Sequence, residues 1–403
     1  MDKRKNILFV TDAISGGVGR VITLLTNEFS KRGYQCSVIC IKQNIDEKFT
    51  EVMGIKAFDV LGSNHFNKYC LNISEHFFKT MVHVFYSLVE RTSSIIFKKT
   101  SDRAALLKFY YLNYNDVRCL SEYIKRNEIS TVISFLNIPI FLSLLSKKHI
   151  PKLILTERND PSNHEKSKTT MAFIRKLYNK ADSIVFQTQD SKRWYSRHTS
   201  IRGKIIFNPI KPNLPAKHNG TRQKKIVNFC RISSQKNLGL LINAFSRFNL
   251  DYPEYDLYIY GDAVGNGVDG YIESIYNIID KLDCKDKIHL LPAQKDIHNL
   301  IKDYAMFVSS SDYEGMSNSM LEAMAIGLPT ICTDCPAGGA RAIIKDHENG
   351  ILVPVNDVDA MYKAMKEIAE NEELAEKISL NGTKLKEELS VDKIVNQWLE
   401  MIK

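Results

Sequence analysis

Cysteine is scarce in this chain. Eight cysteines in 403 residues, at positions 36, 40, 70, 119, 230, 284, 332 and 335, fall far below the density of a disulfide-built domain, and several lie inside apolar strand-like runs. A reducing, cytoplasmic compartment is the expectation. Long hydrophobic runs are also missing, for nothing approaches the ~18 apolar residues of a membrane-crossing helix. Met1-Asp2-Lys3-Arg4-Lys5 leads into only Asn6 to Val10 before Thr11 and Asp12, so no export signal is expected. With 19 glycines, 11 prolines, 44% hydrophobic and 25% charged residues, collagen-like, low-complexity and wholly disordered readings have no support. Internal repeats are absent. The charge balance, 55 − 46 = +9, is moderate for this length and does not by itself choose among nucleic acid, an anionic membrane and an anionic substrate. No recognised nucleic-acid module or clustered basic stripe accompanies it.

The length is two to three times the ~100–200 residues of one domain. Ile7-Leu8-Phe9-Val10 is a short buried-strand run. After a glycine-rich turn, Val18, Val21, Ile22, Leu25 and Phe29 recur at helical spacing. Further strand-like runs at Ser37–Ile41, Val132–Phe135, Leu153–Thr156, Ile184–Gln187 and Lys204–Phe207, with helical stretches between several of them, predict parallel βαβ construction. The alternation restarts at Ile226–Phe229 and continues through Leu257–Tyr260, Ile288–Leu291, Met306–Ser309, Thr330–Cys332 and Ile351–Val353. The segment between, Pro209 to Gln223, carries three prolines, Lys/Arg, Asn and Gly and little apolar periodicity. The expected organisation is an α/β chain with an N-terminal doubly wound domain over 1–208, a linker over 209–224, a second such domain over 225–388 and a C-terminal helix over 389–403. Asp357–Glu370, Glu373–Glu388 and Val391–Ile402 predict three terminal helices, the last packing back on the N-domain.

Residues Ile73–Leu112 depart from this rhythm. Between His76 and Leu112, six cations (Lys79, Arg91, Lys98, Lys99, Arg103, Lys108) face Glu90 and Asp102, a balance of 6 − 2 = +4, among many aromatic residues. An anionic-membrane patch would look like this, and so would an amphipathic helical pair closing one face of the N-domain.

Ligands of doubly wound sheets bind beyond the carboxyl ends of the strands. The first loop, Ser15-Gly16-Gly17-Val18-Gly19-Arg20, would let backbone N–H groups approach a phosphate, although a glycine-rich turn is often only a tight turn. After the first strand of the second domain, Arg231 and Lys236 stand five residues apart. They are either solvated surface cations or a fork and a point charge converging on a diphosphate. After strand Met306–Ser309, Glu314 and Glu322 are eight residues apart. Between them, Gly315, Met316, Ser317, Asn318 and Ser319 offer backbone N–H groups as a phosphate cradle. For Glu322 the competing reading is structural, since Ser319-x-x-Glu322 also spells a capping box. Cys332-Thr333-Asp334-Cys335 has zinc-like spacing, but no second Cys/His pair completes four ligands, and no His pattern of the H-x-x-x-H or H-E-x-x-H kind occurs. No metal site is expected.

Taken together, Arg231-x4-Lys236-Asn237, Glu314-x7-Glu322, Pro336-Ala337-Gly338-Gly339 and Asn349-Gly350-Ile351-Leu352-Val353-Pro354 resemble the GT-B retaining glycosyltransferases of family 4. In the N-domain the resemblance extends through Gly16-Gly17-x-x-Arg20-Val21, Thr156-Glu157-Arg158-Asn159-Asp160-Pro161 and Phe186-Gln187-Thr188. It leaves out Ile73–Leu112. It implies two Rossmann-like domains facing across a cleft, with Arg231 and Lys236 gripping a donor diphosphate, Glu314 beside the donor sugar and Glu322 on the nucleotide ribose. It further implies that the Gly16-Gly17 loop approaches the reacting centre, that the Leu291–Ile297 loop flanks the nucleobase, and that the reaction retains configuration without a metal or other cofactor.

Gly19, Ser317 and Ala342 depart from residues common in that family, and none of these departures removes a donor-site residue named above. The Glu157–Pro161 string resembles enzymes that assemble bacterial surface polysaccharides on lipid-linked intermediates. There Arg158 and Asn159 would face the acceptor, or Arg158 would organise its own loop through Glu157 or Asp160. The expected partners are a UDP-sugar and a saccharide or lipid-linked acceptor, met in the cytoplasm or at the inner face of the plasma membrane. The alternative is a catalytically silent GT-B subunit that binds glycans or supports a partner transferase.

Overall fold

A computed structural model of the chain describes residues 5–12, 14, 16–41, 58–60, 114–158, 161, 176–263 and 268–403. The basic aromatic segment 73–112 and Asn159 lie outside the described residues. The chain divides into two compact units. The first takes Met1–Phe186, Ser191–Ile206 and Val395–Lys403, and the second takes Gln187–Asp190 and Phe207–Ile394.

The first unit is built on a sheet of β1 (Asn6–Thr11), β2 (Gln35–Cys40), β3 (Phe58–Val60), β4 (Thr131–Phe135), β5 (Lys152–Thr156), β6 (Ser183–Phe186) and β7 (Gly203–Ile205). These run in the order β3-β2-β1-β4-β5-β6-β7. Every neighbouring pair is parallel. Ile7 to Val10 are fully buried, as befits a strand covered on both faces by crossover helices. Helix Gly16–Lys31 turns Val21, Ile22, Leu25 and Phe29 inward, the period expected of an amphipathic helix. Strand β3, too short to carry a periodic signal, was not expected from sequence. Cys36, Cys40, Cys230, Cys284, Cys332 and Cys335 are free thiols. Trp398, fully buried, stacks on Phe135 with ring centroids 6.5 Å apart, so the end of the chain supplies part of this unit's core.

The second unit repeats the scheme with β8 (Gln223–Phe229), β9 (Asp256–Tyr260), β10 (Ile288–Leu291), β11 (Tyr304–Ser309), β12 (Thr330–Thr333) and β13 (Ile351–Val353), in the order β10-β9-β8-β11-β12-β13. All pairs are again parallel. Its core gathers Phe245 and Phe248 of helix Leu238–Asp251, Met361 and Met365 of helix Val358–Glu370, and the inward residues of β8, β9 and β11. Strand β8 opens at Gln223, inside the stretch expected as linker. The expected helix over 373–388 is two, Glu372–Thr383 and Leu385–Glu388. In each sheet the chain order reverses once, between β1 and β4 in the first and between β8 and β11 in the second. Loops leaving such neighbours diverge and open a crevice.

Candidate active site

Both loops at the switch point of the second sheet carry residues singled out above. Leaving β8, the chain stays beside β9, with Cys230 N–H donating to the Tyr260 carbonyl (3.0 Å) and Ile232 N–H to that of Asp262 (3.0 Å). The turn Ser234–Lys236 closes on Asn237, which sits at φ 42°, ψ 52°, a left-handed conformation that asparagine tolerates. Asn237 caps helix Leu238–Asp251 by accepting from Leu240 N–H (3.2 Å). Its amide also donates to Asp312 Oδ1 (2.6 Å) and Asn356 Oδ1 (2.9 Å). Asp312 N–H donates to the Gln235 carbonyl (3.0 Å), Gln235 Nε2 to that of Tyr313 (2.7 Å) and Ser310 Oγ to that of Lys236 (2.9 Å). The two loops are therefore stitched into one surface, and the stitching aims Lys236 at Glu314.

Lys236 Nζ pairs with Glu314 Oε2. Lys236 is 9% exposed, so it is not the solvated surface cation of the competing reading. Arg231 is exposed. Burial opposes the Lys236 ammonium, but the Glu314 carboxylate beside it, helped by Cys230 and by the hydrogen bond to Glu314, holds its pKa above the ordinary value. The nearby thiols are the opposite case. Burial pushes Cys230 up to about 11 and Cys335 up to about 12, and raises Cys332 further. None is poised as a thiolate at neutral pH. Among the described residues no group of three or more His, Cys, Asp or Glu side chains is placed to hold a metal ion.

Helix Asn318–Ala325 begins just beyond Glu314 and is capped by Ser317, whose Oγ accepts from Met320 N–H (3.3 Å). Asn318 and Ser319 occupy the first turn, where backbone N–H groups have no acceptor within the helix. The capping box read from Ser319 and Glu322 does not form. The cap falls two residues earlier, and Glu322 lies one turn into the helix, 2% exposed, with its Oε2 2.8 Å from His298 Nε2. Gly339 presses on this loop from the far side: a Cβ there would sit 1.6 Å from the Gly315 carbonyl oxygen. Only glycine allows that backbone approach. Below it, Asn208 donates to Asn318 Oδ1 (2.8 Å) and accepts from Gln187 Nε2 (2.7 Å). Both Gln187 and Asn208 are buried. Asn208 and His298 are the residues that sequence reading missed as part of this site. The signal available for Asn208 was a lone amide at the expected domain boundary, and for His298 there was none.

In the first unit, Gly16 and Gly17 open helix Gly16–Lys31 and are exposed. Gly16 has φ +57°. Gly19, read above as a departure from the family pattern, is buried against the backbone of Ile14, where a Cβ would meet the carbonyl carbon at 3.0 Å. On the other side of this switch point, Leu136 after β4 takes φ 69°, ψ 171°, a conformation rare outside glycine. Arg158 beyond β5 is 7% exposed and lies over the Phe135 ring at 4.9 Å. Its Nε reaches Thr156 Oγ1 at 3.4 Å. Burial lowers its pKa to about 9 against the pull of Glu157, so it is a cation at neutral pH. Glu157 accepts from the hydroxyl of Tyr195.

Two all-parallel doubly wound units, the second with a cation–carboxylate pair and a helix N-terminus at its switch point, define the GT-B class of glycosyltransferase. Residues 15–214 match the model described as Glycosyltransferase Family 4. Residues 211–385 match the one described as Glycosyl transferases group 1. The chain belongs to this glycosyltransferase family. An uncharacterized glycosyltransferase of Methanocaldococcus jannaschii is 26% identical over 372 residues, 78% of this chain and 88% of its own. The N-acetylgalactosamine-N,N'-diacetylbacillosaminyl-diphospho-undecaprenol 4-alpha-N-acetylgalactosaminyltransferase of Campylobacter jejuni is 28% identical over 260 residues, 61% of this chain and 68% of its own. Among solved structures, Anabaena HepE in complex with UDP and glucose superposes with a TM-score of 0.77 at 16% identity, covering 99% of both chains. Among the described residues no helix is long and apolar enough to cross a membrane.

Proposed function

We propose that this glycosyltransferase takes a sugar from a nucleotide sugar, a UDP-sugar in the first instance, and transfers it with retention of anomeric configuration. The acceptor is a saccharide or lipid-linked saccharide of a bacterial surface polysaccharide, met at the cytoplasmic face of the membrane. The observation that carries the reading is the Lys236–Glu314 pair, on loops stitched together at the switch point and directly followed by the N-terminus of helix Asn318–Ala325. A diphosphate leaving group develops negative charge as the glycosidic bond breaks. Lys236, the exposed Arg231 and the first-turn N–H groups of Asn318 and Ser319 supply positive potential for that charge. With so much positive charge from the chain itself, a divalent ion is not required for leaving-group stabilisation.

Glu314 lies beside the donor sugar in this reading, and its carboxylate keeps the buried ammonium charged until the diphosphate arrives. Glu322 accepts from the ribose hydroxyls, and the loop 292–296 flanks the base. Arg158, a buried cation beyond β5, serves the acceptor side. The UDP and glucose held by the Anabaena protein and the diphospho-undecaprenol acceptor in the name of the Campylobacter enzyme support the choice of donor nucleotide and acceptor class.

The test is a scan of nucleotide sugars with purified protein, following nucleoside diphosphate release with and without a membrane extract, in EDTA. Acceptor-dependent, EDTA-resistant UDP release is the expected result. If neither UDP nor GDP binds by calorimetry and no donor turns over, the silent-subunit alternative replaces this reading.

A further inference from the structure

Glu322 presents a problem that its assigned role does not solve. A carboxylate side chain only 3% exposed is costly to bury unless hydrogen-bonded, and a Glu carries three rotatable side-chain bonds that ribose recognition needs fixed in advance. The side chain that meets it comes from a different part of the chain. His298 stands on the short helix Ile297–Ile301, 24 residues away in sequence, and its own side chain is 5% exposed. Its Nε2 lies 2.8 Å from Glu322 Oε2. The imidazole is itself held: Phe229, the last residue of β8, meets it edge-on at 5.8 Å and 85°, and Phe229 packs edge-on against Phe307 of β11 at 5.3 Å. The ring is thus packed against β8 through Phe229, which β11 backs through Phe307, and it takes one of the roughly four lone-pair sites of the carboxylate.

We propose that His298 is a positioning residue for the donor nucleotide: its Nε2–H fixes the Glu322 carboxylate in the orientation that accepts the ribose hydroxyls. The proposal rests on the ribose role of Glu322 given above. The helix carrying His298 also comes directly after the loop 292–296, so one short helix links the ribose contact with the segment flanking the base. A hydrophobic pair of similar volume would pack this spot with less desolvation. Retention of an ionisable pair accords with recognition of a polar ligand.

Calorimetry on the full chain with UDP, 2'-deoxy-UDP and 3'-deoxy-UDP tests this, with wild type, E322Q, H298A, H298Q, H298N and the double variant H298A/E322Q. If the donor scan returns a GDP-sugar, GDP and its deoxy forms replace them. The expected result is a loss of about tenfold in UDP affinity for H298A and little loss for the deoxy nucleotide that lacks the recognised hydroxyl, so that discrimination between the two shrinks. His298→Gln, whose amide nitrogen mimics Nε2, restores discrimination. His298→Asn, whose amide falls nearer Nδ1, does not, which keeps the test alive if H298A fails to fold. The double variant binds no worse than E322Q. Equal losses for UDP and both deoxy nucleotides in H298A and H298N, with E322Q still losing discrimination, would overturn the positioning role and leave His298 as packing. If E322Q itself discriminates as wild type does, the ribose assignment fails, and the proposal with it.

Discussion

The two switch points of this molecule solve the same topological problem with different chemistry. In the second unit, the loops after β8 and β11 are fastened to each other by side chains of Asn237, Gln235 and Ser310. The charges they carry, Lys236 and Glu314, face one another. In the first unit, Gly16 and Gly17 at the start of the helix after β1 are exposed, the turn after β4 carries Leu136 in a conformation rare outside glycine, and the cation Arg158 is buried over an aromatic ring. A site for a nucleoside diphosphate profits from preorganised positive charge. A site that must accept a bulky saccharide profits from an open rim. The difference teaches that the repeated α/β scaffold fixes where a site falls, while loop chemistry decides what it takes.

The largest effect that sharpens this contrast is expected from Lys236→Ala, which should lower kcat by about 10²–10³-fold, the scale for removing one charge-stabilising donor from a transition state. UDP release reports it, and an unchanged far-UV spectrum shows that the loss is chemical. Wild-type turnover would defeat the assignment of this pair. Next in size is Trp398→Ala, which removes a fully buried ring from the first unit's core and should cost roughly 3–5 kcal/mol. Limited proteolysis should then cut the first unit while the second stays protected. Equal loss of protection in both would mean that the end of the chain does not belong to the first unit's core.

Arg158→Lys tests the other side of the comparison. It keeps the charge but gives up the planar guanidinium that lies over the Phe135 ring. Acceptor kcat/KM should fall about tenfold while UDP affinity by calorimetry stays unchanged. A matching loss in UDP affinity would erase the distinction between the two sites. The smallest effect is at the thiols. Burial raises Cys230 to about 11 and Cys335 to about 12, so the folded protein holds protons that an unfolded thiol releases from about pH 8.5. Their contribution to stability is present below that pH and lost as pH rises through the folded values. Iodoacetamide at pH 7.5 should leave activity unchanged, and rapid inactivation through either cysteine would show a thiolate where the structure has none.

Much of the architecture was legible because apolar runs bounded by turns produce a strong period-two or buried-strand signal. The strands around Ile7, Val132, Ile226 and Met306 all fall where that signal placed them. Short β3 gave too little periodicity. The break between Thr383 and Leu385 follows Asn381-Gly382-Thr383, weak helix formers inside a stretch that otherwise favours helix. The spacings Arg231–Lys236 and Glu314–Glu322 marked two loops that the structure fastens together, yet the local pattern Ser319-x-x-Glu322 pointed to a cap that the structure puts at Ser317 instead. The hydroxyl two residues nearer the loop makes the cap, through Met320 N–H, and leaves Ser319 inside the first turn.

The sequence by itself determined the parallel two-unit scheme, the candidate loops and the family, because these depend on residue type and on spacing within a few turns of chain. Tertiary structure alone decided which side chains answer one another. Lys236 meets Glu314 across 78 positions, Asn208 meets Asn318 across 110, and His298 meets Glu322 across 24. The first of these pairs arises from strand order, which brings the ends of β8 and β11 together whatever their separation in the chain. The cost of burying a polar group then selects the partner.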